Sequence, residues 1–331
     1  MIDKRRIVNW VAILVSVTLV ILLISQINMG AVITALSAVN PLFLILGFLV
    51  YIGSFFIQAL RFQGLLREEL QLSDIFNIVC VHTFINKLLP ARTGEVSYIY
   101  LVNNVCQRST GDGIASLITV RIFDFLVLSI FFVFSIGLLG NVPVQISSIL
   151  PVIQGLLILV VITLVLVLYF DERFLHVIYS FIEKFKLNRY RYVQSLIKIA
   201  DETIQSYKVM KKQHILWKTF TLTLGTWLMM LLFYGILLYA FDIRIPVSAV
   251  FLIISVVAVL PLLPIYAIGG FGTTEVTTTV FLMAFGINGE TAIIASFGIH
   301  IVGLTYSVIA GFYGICALGS HNYLRNLFTR Q

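Results

Sequence analysis

Six times this chain runs for close to 20 residues or more on side chains that prefer hydrocarbon to water. The runs are Ile7–Ile24, Pro41–Leu60, Ile114–Leu139, Leu150–Phe170, Ile215–Phe241 and Thr291–Leu318. About 20 apolar helical residues cross a bilayer core, and backbone polar groups at that depth must be satisfied internally, as a helix does. The expected class is therefore an all-α polytopic membrane protein with about six full spans. Sixty per cent apolar and 11% charged residues leave no stretch that reads as a separate soluble catalytic domain, so residues 1–331 are expected to form a single integral membrane domain. Ile7–Ile24 follows Lys4-Arg5-Arg6 in the manner of a signal peptide. It is longer than the usual apolar region of one and lacks an Ala-x-Ala cleavage pattern, so it is expected to stay as a helix.

Two further apolar segments are broken. Residues 73–105 contain Asn86-Lys-Leu-Leu-Pro-Ala-Arg-Thr-Gly-Glu95, and residues 247–286 contain Leu262-Leu-Pro264 followed by Gly269-Gly-Phe-Gly272-Thr-Thr-Glu275. Non-helical backbone at membrane depth is tolerated only where protein or a water-filled cavity covers it, and ionisable residues there are candidates for function. Each broken segment is expected to be a re-entrant hairpin. Proline and glycine can also kink ordinary spans, but kinks alone would not call for Lys87, Arg92, Glu95 and Glu275.

The two segments resemble each other. One 180-residue offset relates Glu95-Val96 to Glu275-Val276 and Ala115-Ser116 to Ala295-Ser296, and Leu88-Leu89-Pro90 has its counterpart in Leu262-Leu263-Pro264. Three full spans between them put the second hairpin on the opposite side, so the repeat is expected to be inverted. Residues 41–170 form its first half and 215–318 its second. Paired interrupted segments in such halves are the sequence pointer to a transporter's central site.

Orientation follows from the basic residues. Cytoplasmic ends and loops collect Lys4, Arg5, Arg6, Arg61, Arg67, Arg108, the ten cations from Arg173 to Lys218, Arg325 and Arg330, while the opposite loops collect only Arg244. That bias puts both termini in the cytoplasm and the protein in the plasma membrane. Residues 171–214 alternate apolar and charged side chains at helical spacing and are expected to lie on the membrane as a cytoplasmic amphipathic helical segment. The net charge of +7 belongs to this bias and to anionic lipid headgroups. The cations are spread over membrane-flanking loops, so nucleic acid is not an expected partner, whereas membrane lipids are. A homo-oligomer is compatible with this class. Cys80, Cys106 and Cys316 lack metal-ligand spacing, and neither a metal nor another cofactor is expected.

Several ionisable residues lie within the apolar segments. Arg121 and Asp124 are three apart on one helix face and can pair within the bilayer. An unpaired charge at a helix centre costs about 2.5–3.5 kcal/mol on insertion scales. Arg92 offers a planar fork of donors suited to phosphate, with pairing to Glu95 or Asp124 as the alternative. Asn86 stands beside it in the motif, and Lys87 either joins the same site or snorkels to the cytoplasmic face. Glu95 and Glu275 are expected to balance these cations or carry a coupling proton. His300, in the last span, is a candidate proton relay or a helix-packing hydrogen bonder. Gly269, Gly270 and Gly272 present backbone N–H groups without side-chain obstruction. They lack the lysine of a phosphate-binding loop, so they are expected to be cavity-lining re-entrant backbone.

At these residues the chain resembles the flippase-like transmembrane domain, also called the lysylphosphatidylglycerol synthase transmembrane region. The family pattern is an Arg ending an early span, then Asn-x-Leu-Leu-Pro-x-Arg-x-Gly-Glu, an Arg-x-x-Asp helix, a Pro, a Gly-Gly-x-Gly and a Glu. Here these are Arg61; Asn86, Leu88, Leu89, Pro90, Arg92, Gly94 and Glu95; Arg121 and Asp124; and Pro264, Gly269, Gly270, Gly272 and Glu275. Ser97 and Tyr98 stand where many members carry a basic residue, and the spacing from Pro264 to the glycines is stretched. Members are associated with moving aminoacylated or glycosylated lipids between leaflets, so the resemblance implies translocation of a lipid or lipid-linked molecule. The cations at the first break add the expectation of a phosphate-containing headgroup, and the protein is not expected to be an enzyme. Two other readings share the sequence features: an integral membrane transferase acting on polyprenyl-phosphate-linked sugars, and a small-solute secondary transporter. Against the transferase, the outward loops offer only Asp242 and Glu290 as acids.

Overall fold

The computed structural model describes residue 37 and residues 39–66, 69–89, 94–169, 191–212, 215–262 and 268–328. These form helices α1 Pro41–Leu66, α2 Leu72–Leu88, α3 Glu95–Cys106, α4 Thr110–Leu139, α5 Val144–Ser147, α6 Leu150–Tyr169, α7 Arg191–Lys212, α8 Ile215–Ala240, α9 Val247–Val257, α10 Thr273–Ala284 and α11 Gly289–Phe328. Short 3-10 turns cover Leu260–Leu262 and Ile268–Gly270, and no strand occurs among the described residues. Five stretches are long and apolar enough to cross a bilayer: Pro41–Leu66, Thr110–Leu139, Val144–Thr163, Ile215–Ala240 and Gly289–Gly319. The protein is an all-α polytopic membrane protein. The expected first span, Ile7–Ile24, lies outside the described residues, as do 171–190 of the expected cytoplasmic segment.

Two element ends differ from those expected. α1 continues past Leu60 to Leu66, and α11 past Leu318 to Phe328. The extension of α1 moves Arg61 from a span end to the helix interior, where only 3% of it is exposed. Its carboxylate partner on α4 makes that burial tolerable.

The helices of the two broken segments are short. At 1.5 Å per residue, the 12-residue α3 and α10 and the 11-residue α9 each cover less than about 20 Å, short of a bilayer core of about 30 Å. α2, with 17 residues, reaches the lower edge of what spans.

Packing is reciprocal between the halves. α1 and α8 run along each other, α2 packs on α11, and α9 packs on α4. Likewise α2 meets α3 as α9 meets α10, and α3 meets α4 as α10 meets α11. Matched residues repeat the pattern in detail. Ser116 on α4 bonds Tyr98 of α3 at 2.9 Å, and Ser296 on α11 bonds Thr279 of α10 at 3.0 Å, all four buried. These are the serines related by the sequence offset.

Small residues allow the closest contacts, as they do between helices in lipid. A Cβ on Gly314 of α11 would lie 2.8 Å from the Asn77 carbonyl of α2, and one on Gly311 would lie 2.4 Å from Phe84 Cβ. Gly94 folds the chain back onto α2 so tightly that a Cβ would meet Asn86 Cα at 2.4 Å. The core is a continuous aromatic and aliphatic cluster around Tyr51, Phe55, Phe233 and Tyr306. Outward faces carry exposed Leu42, Ile45 and Leu49 on α1, Val133 and Phe134 on α4, and Val152 and Leu159 on α6. That is what a hydrocarbon solvent permits.

At the amino end of α4, Ser109 and Asp112 form a capping box, which satisfies two otherwise orphaned N–H groups. Asp112 Oδ1 also accepts a hydrogen bond from Ser206 of α7 at 2.5 Å, and Gly111 leaves room for Glu202. This amphipathic helix thus sits against the end of α4 and buries Met210.

Candidate functional site

α1, α2, α4 and α8, with Ala258 and Pro261 beyond α9, line a cavity of about 260 Å³. Its walls carry three cations, Arg61, Lys87 and Arg121, and one carboxylate, Asp124, together with Tyr51, Gln58, His82, Thr83, Asn86, Thr226 and Trp227. Such a concentration of charge in so apolar a chain needs pairing, and most of it is paired.

Asp124 is the hub. Arg61 Nη1 donates to its Oδ1 at 2.7 Å, Trp227 Nε1 donates to the same oxygen at 3.1 Å, and Arg121 Nη1 donates to Oδ2 at 3.2 Å. Arg61 also reaches Thr223 Oγ1 at 3.1 Å. The expected Arg121–Asp124 pair is present, but Arg121 makes a closer pair elsewhere. Its Nη2 and Nε lie 2.7 and 2.8 Å from Glu95 Oε1. Glu95 is the first residue of α3, so its carboxylate also faces the positive end of that helix. Four residues from α1, α3 and α4 thus form one chain of alternating charge: Arg61, Asp124, Arg121, Glu95.

Lys87 stands apart from that chain. Its ammonium donates to Tyr51 Oη at 2.9 Å and to the Gly303 carbonyl at 3.2 Å, and it lies 5.0 Å from the centre of the Tyr51 ring. An ammonium only donates, so Tyr51 Oη accepts from it, and the tyrosine proton is left for Ser307 Oγ at 2.5 Å. Lys87 therefore points inward to α1 and α11. The snorkelling alternative does not describe it, because a buried phenol and a carbonyl replace its water. Asn86 Oδ1 is buried without a hydrogen-bond partner, as is Arg61 Nε.

Glu275 and His300 make a second polar centre. Glu275 is fully buried. Its Oε2 accepts from Gly272 N at 2.8 Å, and its Oε1 lies 2.6 Å from His300 Nδ1. The Phe271 ring packs 4.9 Å from the imidazole. Gly269, Gly270 and Gly272 have φ of 66°, 72° and 83°, a left-handed region that favours glycine. They do not contribute to the cavity between α1, α2, α4 and α8. They turn the chain so that Gly269 approaches the Lys87 carbonyl at the end of α2 and Glu275 caps α10. The two broken segments meet there.

Arg92, Pro90 and Pro264 lie outside the described residues. Of the other residues singled out from sequence, Asn86, Lys87, Arg121 and Asp124 share the cavity, Glu95 joins them through Arg121, and Glu275 and His300 bind each other. Sequence reading missed Tyr51, Trp227, Thr223 and Ser307 as partners. Tyr51 and Trp227 carried a faint signal, being polar-tipped aromatics in mid-span where such residues usually favour the membrane edges. Arg61, a span-end residue by apolar run length alone, joins the site because its helix continues to Leu66.

No curated protein and no solved structure gives a significant match to this chain. The family model described as the lysylphosphatidylglycerol synthase TM region matches residues 9–311, which takes in every element of the site. The chain belongs to that family.

Proposed function

We propose that this protein moves the phosphate-bearing headgroup of a lipid between the leaflets of the cell membrane, acting as a flippase-type transporter without a covalent step. The observation that carries the reading is the charged cavity itself. Three cations converge on a space walled by α1, α2 and α4 of the first half and by α8, Ala258 and Pro261 of the second, within helices whose outer faces are apolar. A headgroup held there would keep its acyl chains in lipid, and arginine forks and an ammonium are suited to phosphate oxygens. Membership of a lipid-related family points the same way. In this reading the reciprocal halves form an inverted repeat, the broken segments are re-entrant hairpins, both termini are cytoplasmic, and rocking of the halves exposes the cavity alternately to each side.

The test plugs the cavity without disturbing its charges. In a variant with Cys80, Cys106 and Cys316 replaced by alanine, one cysteine is placed at Thr83 in the cavity wall or at Val280 on the outer surface. Exchange of a headgroup-labelled phospholipid is then followed in proteoliposomes. A bulky thiol reagent is expected to stop exchange at position 83 and to leave it intact at 280. Unchanged exchange after complete labelling at 83 would sink the cavity as the route.

A further inference from the structure

The charges in the cavity do not cancel, and the residue left over is Lys87. In the chain Arg61–Asp124–Arg121–Glu95, two guanidinium groups face two carboxylates. Asp124 is committed through both oxygens, and Oε1 of Glu95 is held by Arg121. Lys87 has no carboxylate within salt-bridge distance among the described residues, and its partners, Tyr51 Oη and the Gly303 carbonyl, are neutral. The segments 90–93 and 263–267 contain no Asp or Glu. Low dielectric makes one uncompensated charge count for more than it would in water.

Two unpartnered atoms describe the rest of the ligand. Arg61 Nε is a buried donor with no acceptor, and Asn86 Oδ1 is a buried acceptor with no donor; both residues line the same cavity. Both atoms are closed to the cavity as it stands; a local opening of its wall on binding would let a phosphate oxygen satisfy the first and a hydroxyl the second. The space, about 260 Å³, lies below the range of about 300–1,000 Å³ that holds drug-sized ligands, so it suits a phosphate with a glycerol-sized substituent and excludes an oligosaccharide.

We propose that the cavity selects a small, hydroxyl-bearing, mono-anionic phosphodiester headgroup and rejects aminoacylated, cationic ones, with Lys87 setting the sign of the preference. This rests on the lipid-translocation reading above and narrows it. A lysylated headgroup would bring an ammonium against Lys87 with the Asp124 carboxylate already spent.

Binding can be read at Trp227, whose Nε1 bonds Asp124 at the cavity wall. With Trp10 and Trp217 replaced by phenylalanine, the emission of Trp227 in full-length protein in detergent is titrated with dihexanoyl-phosphatidylglycerol, its lysylated derivative, dihexanoyl-phosphatidylcholine, glycerol 3-phosphate and inorganic phosphate. The phosphatidylglycerol is expected to saturate at a concentration at least about tenfold lower than any of the others. Lys87→Gln is expected to reduce that preference to about twofold or less, and Lys87→Arg to retain it, which separates loss of charge from loss of fold. Equal or tighter binding of the lysylated or zwitterionic lipid overturns the proposal, as does an undiminished preference in Lys87→Gln. Binding of inorganic or glycerol phosphate as tight as the lipid overturns it in favour of a soluble-anion site. The preference without leaflet exchange would leave the headgroup assignment standing and remove the translocation reading. Exchange without any preference would do the reverse.

Discussion

Arg61 is the one fully buried cation among the described residues, and Asp124 at 2.7 Å is what permits it. Removing one partner of a buried pair leaves the other uncompensated, at a cost of about 3–5 kcal/mol. Arg61→Ala is therefore expected to lower the thermal midpoint in detergent markedly, and Arg61→Ala with Asp124→Asn to recover part of the loss. Arg121→Ala should cost less, because its side chain is 23% exposed and Asp124 keeps Arg61. A melting point for Arg61→Ala equal to that of the parent would mean that the pair is wet and contributes little. Asp124 is hydrogen-bonded from α1, α4 and α8 at once, so its loss would loosen three helices. That coupling explains why a carboxylate is tolerated so deep among apolar residues.

Between elements, glycine decides where helices can touch. Gly94 and Gly314 face backbone atoms of α2 at distances no side chain could share, whereas Gly137 and Gly155 have nothing within 4 Å. Gly94→Ala and Gly314→Ala are each expected to destabilise by about 1–3 kcal/mol through overpacking. Gly137→Ala, in the interior of α4, is expected to be neutral or to stabilise by up to about 1 kcal/mol. Melting curves in one detergent compare all three, and a loss at Gly137 matching that at Gly94 would show that helix propensity governs and not approach distance. The sequence marked Gly94 as part of a motif. Its reason, the return of the chain onto Asn86, became visible only with α2 and α3 placed side by side.

For the whole molecule, reciprocal packing is the organising feature. α2 of the first half sits on the last helix of the second, and α9 of the second sits on α4 of the first. Neither half can bury its broken segment alone. Three candidate spans lie between the two segments, so an inverted arrangement puts the loops at Asn141 and Asn288 outside and α7 inside. Single cysteines at Asn141, Asn288 and Ser195, all exposed, test this in the cysteine-free variant. The first two are expected to react with an impermeant reagent added to intact cells, and the third only after permeabilisation. Reaction of all three from one side would end the inverted reading.

The sequence by itself determined the solvent, the element type and the positions of the breaks. These are local properties: apolar run length against bilayer thickness, proline and glycine against helix continuity, and an Arg and an Asp three residues apart on one face. It also placed Lys87, Arg121 and Asp124 among residues whose charge at that depth requires an explanation. Only the tertiary structure decided which charges pair. Glu95 and Arg121 come from different helices, Arg61 and Asp124 are separated by 63 residues, and nothing local says that Tyr51 will accept from Lys87 while Glu275 takes His300. Pairing is set by distances across helix interfaces, and those distances depend on small residues whose effect exists only when two helices meet. The surplus of charge at Lys87 is of the same kind: it is a property of the assembled cavity that no single segment carries.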